Sequence, residues 1–325
     1  MMSKQRKQRR PWFMVSMLTC SGILVLLLLS ACAGAATTSQ ASVRGTASTP
    51  SPPINWKQVD QAMGKAGAMQ PGGVYKYSFP RTDLAVRIGT VSLKSGLALG
   101  THIEFLPMGS GAMVMGDLVL TEDEANGVMT RLQQEGIQQT ALHNHLLGET
   151  PRIMYLHIEG QGDPAQLARG IHAALTQTKT PLAAPASPSQ PQPIDLDTRQ
   201  LDAILKYHGK ANAGIYQYSI PRAEKISVDG MDIPPAMGTA TAINFQPTGL
   251  GNAVITGDFV LLAQEVNPVI KALRAHGIEV TAVHGHMLTE NPRLFYLHFW
   301  ANDAAAKLAR GLRAALDQTR SAQAS

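Results

Sequence analysis

Apolar positions along this chain recur at two periods. In "NWKQVDQAMGK" Trp56, Val59 and Met63 fall on one helical face, and in "LDAILKYH" Leu201, Ile204 and Leu205 do the same. The stretches "GVYKYSFP", "HIEFLP" and "AMVMGDLVL" are apolar, short and alternating, which predicts strands. Thr121-Glu122-Asp123-Glu124 predicts a helix start in which Thr121 and Glu124 satisfy each other's end groups. Gly136 suits the left-handed stop of that helix. A hairpin follows, and Asp163-Pro164 opens a last helix with a buried stripe at Leu167, Ile171 and Leu175. Leu308, Leu312 and Leu316 repeat the stripe. Strands come in adjacent runs, so each sheet is expected to be mostly antiparallel with helices packed on one face: α+β, twice.

The pattern is written twice because the chain is a tandem duplication. "YSFPR" ending at Arg81 matches "YSIPR" ending at Arg222, and "QLARGIHAAL" matches "KLARGLRAAL". Small, polar and proline-containing segments set the boundaries. They predict a tether at 33–54, repeat domain one at 55–178, a Pro-rich linker at 179–196 and repeat domain two at 197–320.

The densest chemistry lies in "ALHNHLLGETPRIMYLH" and its twin "AVHGHMLTENPRLFYLH". Alternate strand residues share a face, so His143 and His145 point one way and Leu142 and Leu146 the other. A hairpin centred on Thr150 places His143 opposite His157 and His145 opposite Tyr155. Cross-strand Cβ atoms lie about 5 Å apart, within reach of an ion whose imidazole bonds are about 2.1 Å. The candidate metal ligands are therefore His143, His145, Glu149 and His157, with His284, His286, Glu290 and His298 in the second copy. Glu149 and Glu290 double as candidate bases if a reaction is run. Arg152, Arg293, Tyr155 and Tyr296 are candidates to orient a ligand. The expected cofactor is a divalent metal such as zinc or manganese. Histidine is also a good surface residue of sheets, so a purely structural hairpin stands as the alternative. The spacing His-x-His-x-x-x-Glu resembles the first metal motif of the cupins, without their second. His102-x-Glu104 is a further pair, but its counterparts are Ala242 and Asn244, so any role is confined to copy one. Asp117 and Asp258 recur as well and read as structural.

Charge changes the picture at one end only. The five basic residues among positions 1–10 account for the whole net charge of +5, which removes nucleic acid as an expected partner. An uncharged apolar run follows and ends in Leu29-Ser30-Ala31-Cys32, which resembles a lipobox closing a signal segment at 1–32, with Cys32 lipidated and left as the new N-terminus. The string "GDLVLTEDEANGVMTRLQQEGIQQTALHNHLLGETPRIMYLHIEG" resembles the LppY/LpqO family of bacterial envelope lipoproteins. That resemblance implies an exported protein held at the cell membrane or outer envelope by lipid, and it implies no established activity. The expected function is a lipid-anchored binding module for a metal or small polar ligand. A metal-dependent enzyme, hydrolytic or cupin-like, and a structural adaptor are the alternatives.

Overall fold

A computed structural model describes residues 54–183 and 193–323. Copy one comprises α1 (Trp56–Met63), β1 (Ala68–Gln70), β2 (Val74–Pro80), β3 (Gly100–Met108), β4 (Gly111–Thr121), α2 (Glu122–Gln134), β5 (Gln138–His143), β6 (Ile153–Gly162) and α3 (Pro164–Leu175). Copy two repeats the order as α4 (Thr198–Leu205), β7 (Lys210–Asn212), β8 (Ile215–Pro221), β9 (Ala240–Gly249), β10 (Asn252–Leu261), α5 (Ala263–Ala275), β11 (Glu279–His284), β12 (Phe295–Ala304) and α6 (Ala305–Leu316).

Each copy is an antiparallel six-stranded sheet, ordered β1-β2-β3-β4-β6-β5 and β7-β8-β9-β10-β12-β11. Helices cover one face of each, as the apolar stripes require. Leu167, Ile171 and Leu175 pack with Leu156 and Ile158 beneath α2 and α3. Leu308, Leu312 and Leu316 pack with Leu297 and Phe299 in copy two. The two copies belong to one compact unit. Their helix-free faces meet through two apolar clusters, each drawn from both copies. One joins Val74, Met113 and Met115 to Val260, Leu294 and Tyr296. The other joins Val119, Ile153 and Tyr155 to Ile215, Val254 and Trp300.

Several local expectations need correction. The Thr121 side chain makes no cap hydrogen bond. Glu124 alone reaches back, accepting from the Thr121 N–H at 2.9 Å. Copy two has Leu262 at the cap and Glu265 accepting from its N–H at 2.7 Å, so the one-sided form suffices. The carboxylate is useful because it also binds a buried arginine: Arg81 donates to Glu124 at 2.8 Å, and Arg222 to Glu265 at 2.8 Å. The recurring "PR" at the end of β2 and β8 is thus a tie between sheet and helix.

The hairpin register also differs. His143 pairs with Tyr155 and Ala141 with His157, a shift of two residues along β5 from the expected pairing. The reason is that Thr150 does not turn a tight hairpin. Glu149–Thr150 instead pairs with Arg87–Ile88 in a separate three-stranded sheet, which spreads the connection into a broad loop. His145 lies in that loop. Both ends of the expected linker are engaged: the Lys179 N–H donates to Glu124 at 2.9 Å, and Ile194 and Leu196 pack against the second core. The lipobox and Cys32 lie outside the described residues.

Candidate metal centre

The site is built from one cross-strand row in each sheet. On copy one, His102 of β3, Asp117 of β4 and His157 of β6 stand in register on neighbouring strands. On copy two the row reads Ala242, Asp258 and His298. The ends of β5 and β11 add His143 and His284, and the loops beyond them add His145 and His286. Because the helix-free faces meet, the six hairpin histidines of both copies come together.

Their arrangement is nearly two-fold. His143 and His284 touch at the middle, with ring centroids 3.7 Å apart. On one side Tyr155, His145 and His298 stack, with centroid spacings of 3.4 and 3.9 Å. On the other side Tyr296, His286 and His157 stack at 3.5 and 3.7 Å. Each stack therefore carries rings of both copies. The loops are cross-tied: Thr140 donates to the His286 carbonyl at 2.6 Å, and Thr281 to the His145 carbonyl at 2.5 Å. The tyrosines are fixed at their far ends, Tyr155 donating to the Ala98 carbonyl at 3.0 Å and Tyr296 to the Gly238 carbonyl at 3.2 Å.

The ring nitrogens are divided by role. Nδ1 of His143 faces the Asn144 carbonyl at 3.3 Å, Nδ1 of His284 faces the Gly285 carbonyl at 3.2 Å, and Nδ1 of His298 faces the Gly257 carbonyl at 3.3 Å. A carbonyl only accepts, so each Nδ1 carries the hydrogen and leaves the Nε2 lone pair free. Nε2 of all six histidines is buried without a hydrogen-bond partner. His298 also pairs with Asp258 through Nδ1. Ligand atoms of His143, His284, His286 and His298 lie within 4.8 Å of one another, and so do those of His145, Asp258 and His298. A cluster able to coordinate a metal ion is present.

Electrostatics fit neutral imidazoles. Burial, then the charges of His298 and His284, pushes His143 down to about 3. Burial and His298 push His284 down to about 4. His145, His157 and His286 are held well below the usual imidazole range, chiefly by burial. Burial, with the like charge of Asp258, raises the Asp117 carboxyl to about 7 against the pull of His102. Burial acts the same way on Asp258, but His298 outweighs it and holds that carboxyl below its ordinary value.

Not every expected residue joins the cluster. Glu149 accepts from the Ile153 N–H at 3.4 Å and Glu290 from the Leu294 N–H at 3.1 Å, so both close the broad loops. Neither belongs to a metal-ready group. Arg152 is exposed and lies 3.7 Å from Glu122, while Arg293 donates to the Leu288 carbonyl at 3.2 Å. Both pin turns. Asp117 and Asp258 are the site residues that sequence reasoning set aside. Their recurrence was visible, and their position opposite the histidine of β6 or β12 was the missing signal. A half-open cleft of about 610 Å³ runs past Lys76, His102, Asp117 and Asp258 to His145.

No curated protein matches the chain. Among solved structures it is similar to the trimeric bacterial microcompartment shell protein PduB, at 15% identity over 79% of this chain and 96% of that one, with a TM-score of 0.20. EtuB from Clostridium kluyveri is similar at 8% identity over 77% and 90% of the two chains, with a TM-score of 0.18. The family match below, which covers both copies, overturns the LppY/LpqO resemblance. The exported envelope lipoprotein, its membrane partner and its lipid anchor are withdrawn with it. That reading rested on residues 1–32 and on the histidine string, and the string belongs to a different family model. Among the described residues no helix is long and apolar enough to cross a membrane. The model for the Domain of Unknown Function (DUF1259) matches residues 57–177 and 199–318, both copies almost end to end, and the chain belongs to that family.

Proposed function

We propose that this protein binds a divalent transition-metal ion at one centre shared by its two copies, with His143, His284, His286 and His298 as ligands. The observation that carries the reading is that ligand atoms of His143, His284, His286 and His298 lie within 4.8 Å of one another while the Nε2 of each is buried with no partner. Each buried nitrogen left unsatisfied costs about 1–3 kcal/mol, and an ion recovers that cost for several at once. Four imidazoles suit a tetrahedral ion with bonds of about 2.0–2.1 Å. Nitrogen donors favour zinc, copper or nickel over magnesium, calcium or manganese, so zinc is the better of the two metals expected from sequence. The carbonyls on Nδ1 supply the outer hydrogen bonds that set the ring tautomer. Tyr155 and Tyr296 orient His145 and His286 by stacking. Glu149, Glu290, Arg152 and Arg293 act on the loops and not on the ion.

The test is a zinc titration of the chelator-stripped full chain, followed by calorimetry and elemental analysis. Tight uptake is expected, and the double variant His143→Ala, His284→Ala should weaken it by more than about 100-fold. A stripped wild-type chain that takes up neither zinc nor cobalt would overturn the proposal.

A further inference from the structure

The two-fold arrangement is broken in one place. Lys76, His102 and Glu104 of copy one correspond to Gln217, Ala242 and Asn244 of copy two. In copy two the amides simply bond each other, Gln217 donating to Asn244 at 3.0 Å. In copy one the same positions hold charge. Glu104 is buried, and it lies 2.7 Å from Lys76 Nζ and 2.8 Å from His102 Nδ1. The carboxylate lies within reach of Nδ1 without being aligned as a hydrogen bond, and a carboxylate on Nδ1 is the usual outer partner of a histidine that ligates metal through Nε2.

His102 Nε2 faces Asp117 Oδ2 at 3.9 Å, and His157 Nε2 faces Asp117 Oδ1 at 3.9 Å. These separations are too long for hydrogen bonds. Two ligands of one tetrahedral ion with 2.1 Å bonds stand about 3.4 Å apart. Here the two histidines face different oxygens of Asp117, and the trio is wider than the 4.8 Å groups of the histidine centre. An ion would have to draw both rings in towards one carboxylate. Asp117 Oδ1 and His157 Nε2 are buried without partners. On the opposite side of the centre His145 crosses from copy one to stand beside Asp258 and His298, but that His298 also belongs to the four-histidine group, so only one of the two groupings can hold an ion through it. His286, the counterpart of His145, groups with the four histidines and not with Asp117 and His157, which leaves those two without a donor from the other copy. His102 stands in register beside them, and one third of its side chain is exposed to the cleft.

We infer that copy one carries a second, one-sided site for a divalent transition-metal ion, held by His102, Asp117 and His157, with Glu104 and Lys76 positioning His102. This rests on the metal reading of the histidine centre but adds a distinct ion. Three protein ligands beside an open cleft leave room for a water or a small anion on that ion, which the four-histidine group does not.

The experiment is a Co2+ titration of the chelator-stripped full chain, read by visible absorption and by elemental analysis after dialysis. Wild type should retain two ions per chain. His102→Ala should retain one, and it should fold, because copy two carries alanine at the same place. Glu104→Gln should keep both ions but weaken the His102-dependent one by about 10-fold or more. His143→Ala with His284→Ala should lose the other ion and keep this one. If His102→Ala binds as many ions as wild type with unchanged affinity, or loses both, the second site does not exist. A wild type that holds a single ion, lost in the His143/His284 double variant and untouched by His102→Ala, overturns this inference alone. A wild type that holds none overturns both.

Discussion

At the residue scale the governing fact is that histidine is being used as a buried neutral base. His143 and His284 sit at about 3 and about 4, and His145, His157 and His286 are depressed by burial. In the unfolded chain each returns to about 6.5. Below that value the unfolded chain takes up protons that the folded one refuses, so stability falls as pH falls. The contribution is fully present above pH ~6.5 and is lost progressively towards the folded values. The stripped protein should therefore lose thermal stability steeply between about pH 6.5 and 4.5, measured as Tm. Replacing His143 and His284 by glutamine should flatten that slope. An equal slope in the variant would mean the histidines are not the titrating groups. The residues that make this environment were legible as types and positions. Their loss of water depends on the other copy, whose face covers them.

At the element scale, the helices and the sheet faces followed from periodicity alone, since the apolar stripes have one possible destination. What periodicity could not reveal was the division of labour at the helix starts. Glu124 caps α2, binds Arg81 twice and accepts the Lys179 N–H, while the Thr121 hydroxyl makes no cap bond. Glu124→Gln should thus cost about 2–3 kcal/mol, since it leaves the fully buried Arg81 with Asp83 as its one carboxylate partner beside the Val119 carbonyl. Thr121→Ala should stay within about 0.5 kcal/mol, which chemical denaturation of both variants would check. The pair carries its own pH signature. Against the opposing effect of burial, Arg81 and the backbone N–H groups hold Glu124 below the usual carboxylate range. Its stabilisation is present above pH ~4.3 and is lost as pH falls through the lower folded value, a window beneath that of the histidines. The hairpin register was not legible for a related reason. The two-residue slip is imposed by Arg87–Ile88, over fifty residues upstream, pairing with Glu149–Thr150. No local pattern around His143 encodes that partner.

At the scale of the whole molecule, the duplication explains why one copy does not suffice. Each copy has its own helix-side core, and the two copies belong to one compact unit. The other face of copy one carries Val74, Met113, Val119, Tyr155 and the histidines, which are covered by copy two. Left bare, that is a large apolar patch around unsatisfied polar nitrogens, and surfaces of that kind seek partners. The cross-ties from Thr140 and Thr281 lock the loops of each copy to the other. A chain cut at a protease site placed within 184–192 should therefore stay together, the two fragments co-eluting on gel filtration at native pH. Adding zinc at 100 times its dissociation constant should raise the stability of the nicked pair by about 2.7 kcal/mol, because the ion is bound only when both fragments are present. Copy one produced alone as residues 54–183 should pair with itself, since the two faces are near-equivalent and an isologous contact rebuilds six histidines from two sets of three. Light scattering should give a dimer whose dissociation constant falls when zinc is added and rises again with chelator. Fragments that separate freely after cutting, or a copy that remains monomeric with and without zinc, would show that each histidine face is complete in itself and that the shared centre is a contact without consequence.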